Sequence, residues 1–234
     1  MVDLNIAFAE AFKILFQMDS DLIEIIFLSI KISFVAITVS CLISMPFATF
    51  LSIKKFPGRN MIVVIINSFM ALPPVVVGLF LYLLASVNGP LSTYQLLYTP
   101  MLMVIAQIII IIPIVTALSK ESIDSFYSQY RDYFLCIKAN QLTIIRTLMY
   151  EARHKLVING LAGLGRALSE VGAVIIVGGN IAHLTRVMTT SIVLETSRGE
   201  LAMALSIGFV LISLSIALNF LVYFFRRRDI NYND

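Results

Sequence analysis

Apolar residues occupy long blocks of this chain, separated by short polar breaks, and the blocks have the length of a membrane crossing rather than of a strand. A helix needs about 20 mostly apolar residues to cross the hydrocarbon layer. Five blocks meet that length, near 25–51, 61–87, 96–118, 157–181 and 201–225. Lys31 lies near the start of the first, where its long stem can snorkel to the interface. Residues 3–17 put Leu4, Ala7, Phe8, Ala11, Phe12, Leu15 and Phe16 on one helical face, in a stretch too short to cross. That pattern predicts a helix lying in the interface or packed on the bundle. The chain therefore reads as an all-α integral membrane protein with about five transmembrane helices. It divides into an amphipathic segment over 1–20, a membrane domain over 21–228 and a short tail over 229–234.

Composition narrows the class. Hydrophobic residues make up 59% of the 234 and charged residues 13%, which excludes an ordinary soluble domain. A net charge of +3 is too small for a nucleic-acid partner, and membrane lipid is the expected neighbour of the basic clusters. Those clusters also set orientation. Lys54, Lys55 and Arg59 follow the first block, the segment after the third carries Lys120, Arg131, Lys138, Arg146, Arg153 and Lys155, and Arg226, Arg227 and Arg228 follow the fifth. By the positive-inside rule these faces are cytoplasmic, which puts the N-terminus outside and the C-terminus inside. The first residues lack the basic start and small-residue cleavage site of a signal peptide. Cys41 and Cys136 form no CxxC, and His154 and His183 have no acidic neighbour in sequence, so neither a metal nor a disulfide is expected.

One connection is too long to be an inert turn. Residues 119–156 place Tyr133, Phe134 and Ile137, then Leu142, Ile145 and Leu148, at helical spacing on either side of a small polar break, KANQ. The pattern predicts a helix, a break and a second helix, forming either a knob for a cytoplasmic partner or a self-packed connection.

Inside the blocks, three features carry chemistry. Arg166 and Glu170 lie four residues apart with Ser169 beside them, a spacing that pairs them on one helical face. A charge facing lipid is costly, so the pair faces the bundle or water, as part of a permeation path or as a staple between helices. The glycines 160, 163, 165 and 172 with Ala162, Ala167 and Ala173 form a small-residue surface on which another helix can pack closely, including one from a second copy. Gly178, Gly179 and Asn180 close that block, as a plain helix cap or as the first surface a delivered ion meets. Pro73 and Pro74 remove two backbone donors and kink or break the second block, and Pro113 is expected to do the same to the third. Such breaks serve as gates or as packing kinks. No GxxxxGK[ST] loop is present, so ATP hydrolysis would belong to a partner, and no Ser/His/Asp set or HExxH supports an intramembrane enzyme. A secondary transporter would show discontinuous helices in both halves, whereas the second block shows a break without a matching one elsewhere.

Two stretches resemble known families. Residues 119–156 resemble the cytoplasmic EAA loop of bacterial ABC importer permeases, with Asp132, Tyr133 and Phe134 on its Glu-Ala-Ala, Lys138 on its Gly, Leu148 on its Ile, and Tyr150 and Glu151 on its Leu-Pro. The resemblance implies that the break around Lys138, Ala139, Asn140 and Gln141 is the coupling element that docks on an ATP-hydrolysing subunit. FMALPPVVVGLFLYLL, GRALSEVGAVIIVGGNI and TTSIVLETSRGE, in that order, are similar to the permeases of tungstate ABC importers, and LPPVVVGL and GRALSEVGA also occur in molybdate and sulfate permeases. The resemblance implies a type I ABC importer permease in a bacterial cell membrane. It implies a second copy of the chain, two cytoplasmic ATP-binding subunits and an extracytoplasmic tungstate-binding protein, with no cofactor. Molybdate and sulfate are the alternative cargoes.

Overall fold

The structure is a computed structural model and describes residues 10, 11, 13, 14 and 20–230. All regular structure among these is helical: α1 (Ser20–Ile53), α2 (Arg59–Met70), α3 (Pro74–Ala85), α4 (Pro100–Cys136), α5 (Gln141–Glu151), α6 (Arg153–Leu168), α7 (Gly172–Gly178), α8 (Met188–Arg198) and α9 (Leu201–Ile230), with one 3₁₀ turn at Ser92–Tyr94. Three helices, α1, α4 and α9, are long and apolar enough to cross a membrane unbroken. Two more crossings result if α2 with α3, bent by 97°, and α6 with α7, bent by 57°, each count as one span.

The α1–α4 contact is the spine of the fold. Ser29, Ser33, Ala36, Ser40, Ser44, Ala48 and Ser52 recur every three or four residues along α1, and all are buried. Side chains this small let the two backbones approach closely, the main source of helix association in an apolar solvent. The hydroxyls add cross-links: Ser44 Oγ donates to the Ile112 carbonyl at 3.2 Å and Ser52 Oγ to that of Lys120 at 3.4 Å. Ile111, Val115 and Ala106 fill the seam from the α4 side, fully or almost fully buried. Gly163 of α6 joins them, since a Cβ there would meet Ile37 Cδ1 at 2.7 Å and Val115 Cγ2 at 2.8 Å.

Pro113 does not interrupt the third span. α4 runs through it for 37 residues, with Pro113 itself buried. At about 1.5 Å per residue α4 is roughly 55 Å long, against about 30 Å of hydrocarbon, so the helix carries on well beyond the expected crossing. The expected helix-break-helix of 119–156 is accordingly a continuation of the span to Cys136, a turn at 137–140, then α5. Ile123, Phe134, Leu148, Ala152 and Leu156 are buried together there, with Met45 and Ile53 of α1 packed against them. Phe134 and Leu148 anchor this knob, while Tyr133 and Leu142 of the same periodic set stay 60% and 56% exposed.

The fourth span is broken as well as the second, which the sequence pattern did not foresee. Arg166 and Glu170 were expected on one continuous helix, but α6 stops at Leu168 and α7 starts at Gly172. The connection over 182–200 contains α8, also unforeseen. Of the amphipathic segment expected over 3–17, residues 10, 11, 13 and 14 are described. Ala11 is fully buried, and its carbonyl accepts Ser206 Oγ of α9 at 3.0 Å. The remainder of that segment and the tail over 231–234 lie outside the described residues.

Candidate functional site

The two broken spans meet at their breaks. α2 ends at Met70, Pro73 stands as the N-cap of α3 in an extended conformation, and Pro74 opens the helix. Proline suits that first position, where its missing N–H has no intrahelical partner to lose. Beside it, α7 opens at Gly172, where a Cβ would lie 2.7 Å from Val75 Cγ2. One turn on, a Cβ at Gly78 would lie 2.8 Å from Ala173 Cα. Only glycine at 78 and 172 lets α3 and α7 start side by side, which is the physical content of the glycines in LPPVVVG and SEVGA.

Glu170 occupies the elbow between α6 and α7. It is 4% exposed. Its Oε1 accepts the Ala173 N–H at 3.3 Å, satisfying one of the open donors at the start of α7, and its Oε2 lies 3.1 Å from Arg166 Nη2. Its main-chain carbonyl takes Thr189 Oγ1 of α8 at 2.8 Å. A buried carboxylate needs such partners, because desolvation of an unpaired one costs several kcal/mol. The expected pair therefore forms, but it straddles a helix end and caps the next helix rather than lying along one face.

Arg166 has the opposite exposure. Its side chain is 39% accessible while that of its partner is 4%. Ala162 and Ser169 are exposed on the same side of α6, and a Cβ at Gly165 would meet nothing within 4 Å. The small-residue surface thus divides in two. Gly160, Gly163, Gly172 and Ala173 pack within the chain, whereas Ala162, Gly165, Arg166 and Ser169 form an open face. Across the five expected spans the charged residues are Lys31, Arg166 and Glu170, and Arg166 lies about 20 Å along α6 from its start at Arg153.

At the far end of α7, Gly179 and Asn180 take left-handed backbone angles, φ 69° and 52°, and terminate the helix. Asn180 Oδ1 accepts Thr190 Oγ1 at 2.9 Å, which fastens the cap to α8. Asn180 is thus engaged as a structural closure. Close by, His183 Nδ1 meets Glu24 Oε2 of α1 at 2.7 Å, a pairing that supplies the acidic neighbour absent from the local sequence. The pairing and the charges of Glu24 and Asp21 hold the His183 imidazole above its ordinary range.

The turn after α4 forms the second site. Asp132, Lys138, Asn140 and Gln141 are exposed and Ala139 is half-buried against the knob. Lys138 adopts φ 47°, a left-handed angle that favours glycine. Its N–H and that of Ala139 return to the carbonyls of Leu135 and Phe134 at 3.2 and 3.1 Å, closing α4. Asn140 Oδ1 then caps α5 by accepting the Thr143 N–H at 2.8 Å. The two sites stand at opposite ends of continuous helices and are not brought together. Gln107, overlooked in the sequence because it lies in an otherwise unbroken apolar run, joins the first site: its Nε2 donates to the Ala167 carbonyl at 3.2 Å. A lone amide in a 23-residue block without charges was the available signal.

No family model matches the chain. It is 37% identical over 216 residues to the tungstate uptake system permease protein of Peptoclostridium acidaminophilum, covering 92% of this chain and 95% of that protein. The protein of the same name from Campylobacter jejuni is 35% identical over 223 residues, 94% of this chain and 92% of its own length. A probable anion ABC transporter permease of Haloferax volcanii is 34% identical over 212 residues, 88% and 91% of the two chains. Identity at this level, end to end and across a bundle of membrane-length helices, means that the chain belongs to the family of ABC transporter permeases that includes the tungstate uptake system permeases.

Proposed function

We propose that this chain is the membrane subunit of an ATP-driven tungstate importer, that two copies enclose the path, and that Arg166 faces it. The observation that carries the reading is the exposure of Arg166. An arginine on the surface of a lone bundle, deep along a membrane helix, would cost at least about 2.5–3.5 kcal/mol against lipid. A water-filled path lined by a second copy removes that penalty. The neighbouring Ala162, Gly165 and Ser169 suit the same face, since small side chains leave room for an ion. Arg166 keeps its charge when desolvated and offers a planar fork to oxyanion oxygens. Its bond to Glu170 neutralises the site at rest, so a dianion is passed on rather than trapped. The paired breaks at Pro73–Pro74 and Ser169–Glu170 supply hinges beside the path, a use of discontinuous helices common in transporters.

The turn from Lys138 to Gln141 is the point at which the ATP-hydrolysing subunit grips the permease, with the N-terminus outside and an extracytoplasmic binding protein delivering the ion. Left-handed Lys138 on the position where the resembling family has glycine supports that register. The exposed Tyr133, Leu135, Ile137, Leu142 and Tyr150 give the partner an apolar seat. Closure of two ATP-hydrolysing subunits would push the knob and rock the bundle between inward and outward openings; direction requires that the ion interact differently with the two states.

The test is reconstitution in liposomes with an ATP-hydrolysing subunit and the external binding protein. ATP-dependent tungstate uptake is expected, together with a loss of about tenfold or more in Arg166→Gln, the scale of one charge-assisted interaction. Uptake by the permease alone rejects the proposal, and molybdate or sulfate preferred over tungstate reassigns the cargo.

A further inference from the structure

α4 ends in the knob and α6 starts from it, and the two meet again at the elbow. They are joined there by one side chain. Gln107 is 4% exposed, and its Nε2 reaches the Ala167 carbonyl, which also accepts the Glu170 N–H at 3.3 Å. The last turn of α6 is thus held both by its own chain and by α4. From the other side, Thr189 Oγ1 of α8 holds the Glu170 carbonyl. The second polar atom of Gln107, Oε1, is buried without a hydrogen-bond partner among the described residues. An amide with one end unpaired in an apolar interior is expensive to keep, and leucine or methionine would fill the same volume without that penalty. Its presence calls for a role. Gln107 lines a small chamber with Ser29, Ser33, Glu170 and Thr189, whose free volume for the centre of a water molecule is about 10 Å³. That is about the room one water needs.

We propose that Gln107 is a positioning residue that braces the elbow of the fourth span against α4, with one water in the chamber linking Oε1 to Glu170. α4 is unbroken from Gln107 to Cys136, about 44 Å at 1.5 Å per residue, so it acts as a rigid lever from the cytoplasmic turn to the elbow. Without the brace, a push on the knob is absorbed by flexing at Ser169–Val171. With it, the push displaces α7 and the Arg166–Glu170 pair together. This inference rests on the reading of the chain as an ATP-driven permease.

The experiment compares ATP hydrolysed per anion taken up by the full complex in liposomes. Gln107→Met keeps the volume and removes both polar ends. It is expected to raise the ratio about tenfold, within the range of inter-site coupling energies. Thr189→Val, which frees the elbow from α8, is expected to raise it too, and the double variant to fall short of the product of the two, as residues in one network do. Gln107→Glu can donate to Ala167 only when protonated. Facing the Glu170 carboxylate in a buried chamber, it is expected to approach the wild-type ratio as pH is lowered and to depart from it as pH is raised, because burial and a neighbouring carboxylate favour the protonated form. This variant also supplies the answer if Gln107→Met does not assemble. A wild-type ratio in Gln107→Met, or a pH-independent ratio in Gln107→Glu, overturns the brace. A wild-type complex that takes up no anion overturns the parent reading instead.

Discussion

Gly78 and Gly208 are both interior to helices, and adding one methyl group to each is expected to act in opposite directions. At Gly208 of α9 a Cβ would meet nothing within 4 Å, so Gly208→Ala removes backbone freedom from the unfolded chain at no steric cost and stabilises by roughly 0.5–1 kcal/mol. At Gly78 the new atom would lie 2.8 Å from Ala173 Cα, 3.1 Å from the Ala173 carbonyl oxygen and 3.3 Å from Ile176 Cβ. Two of these neighbours are backbone and cannot rotate away. Relaxing the closest contact to an ordinary 3.4 Å parts α3 from α7 by about 0.6 Å, which strips dispersion contacts from Val77 and Leu81, each 5% exposed. Overpacking of this kind costs about 1–3 kcal/mol, which outweighs the glycine-to-alanine gain. The two variants should differ by roughly 2 kcal/mol, or about 4–8 °C in unfolding midpoint for a chain of this length. Unfolding in mixed micelles, followed by circular dichroism, reads the difference. A Gly78→Ala protein as stable as Gly208→Ala would refute the claim that the two broken spans are pressed together at their helix starts. Because that contact aligns the breaks, Gly78→Ala should also slow uptake in the reconstituted complex.

Lys138→Gly should relieve a left-handed angle that costs a non-glycine residue about 1–2 kcal/mol, raising the unfolding midpoint while uptake continues, and Lys138→Val should do the reverse. Replacing Ala139 by tryptophan should uncouple ATP turnover from uptake by displacing the half-buried end of the turn; full transport in that variant would remove the docking role. Asn140→Ala removes the α5 cap at a cost of about 1 kcal/mol, so amide exchange at Thr143 should accelerate roughly fivefold, with Asn140→Asp restoring it. Glu170→Ala leaves the Ala173 N–H open and Arg166 unpaired, for about 1–3 kcal/mol of destabilisation, and Glu170→Gln should recover part of that loss by keeping the cap acceptor. His183 should titrate above 6.5 in the folded chain, and Glu24→Gln should return it toward that value. Its folded value is the higher one, so the stabilisation from the Glu24 pairing is complete below pH 6.5 and drains away as pH rises through the folded value. Imidazole chemical shifts against pH measure it.

The knob and the elbow differ in how far local pattern reveals them. Phe134 and Leu148 recur at helical spacing around a small polar break, and the structure buries those two under the knob and turns the chain at that break. The cap of α5 by Asn140 is a local interaction three residues long, and it falls within the polar break that KANQ marks in the sequence. The elbow is different. Arg166 and Glu170 pair at four residues whether or not a helix continues between them, so the spacing was right and the helix was not. α8 escaped because its buried residues, Met188, Thr189, Thr190 and Ser191, are mostly hydroxyl-bearing and carry no apolar period.

Hydrophobic length is a property of the linear chain, since the bilayer, and not another part of the protein, is its partner; the class of protein was therefore set by sequence alone, whereas the three unbroken crossings and the two bent helix pairs were told apart only by the structure. The pairing of the two breaks, the bonds between distant segments from Gln107 to Ala167 and from Thr189 to Glu170, the Glu24–His183 contact over 159 positions, and the division of the glycines into packed and open sets were decided by tertiary structure. Each depends on which helices become neighbours. In a bundle of uniformly apolar helices that choice rests on close packing at a few small residues and on single buried polar atoms, and neither leaves a periodic trace in the chain.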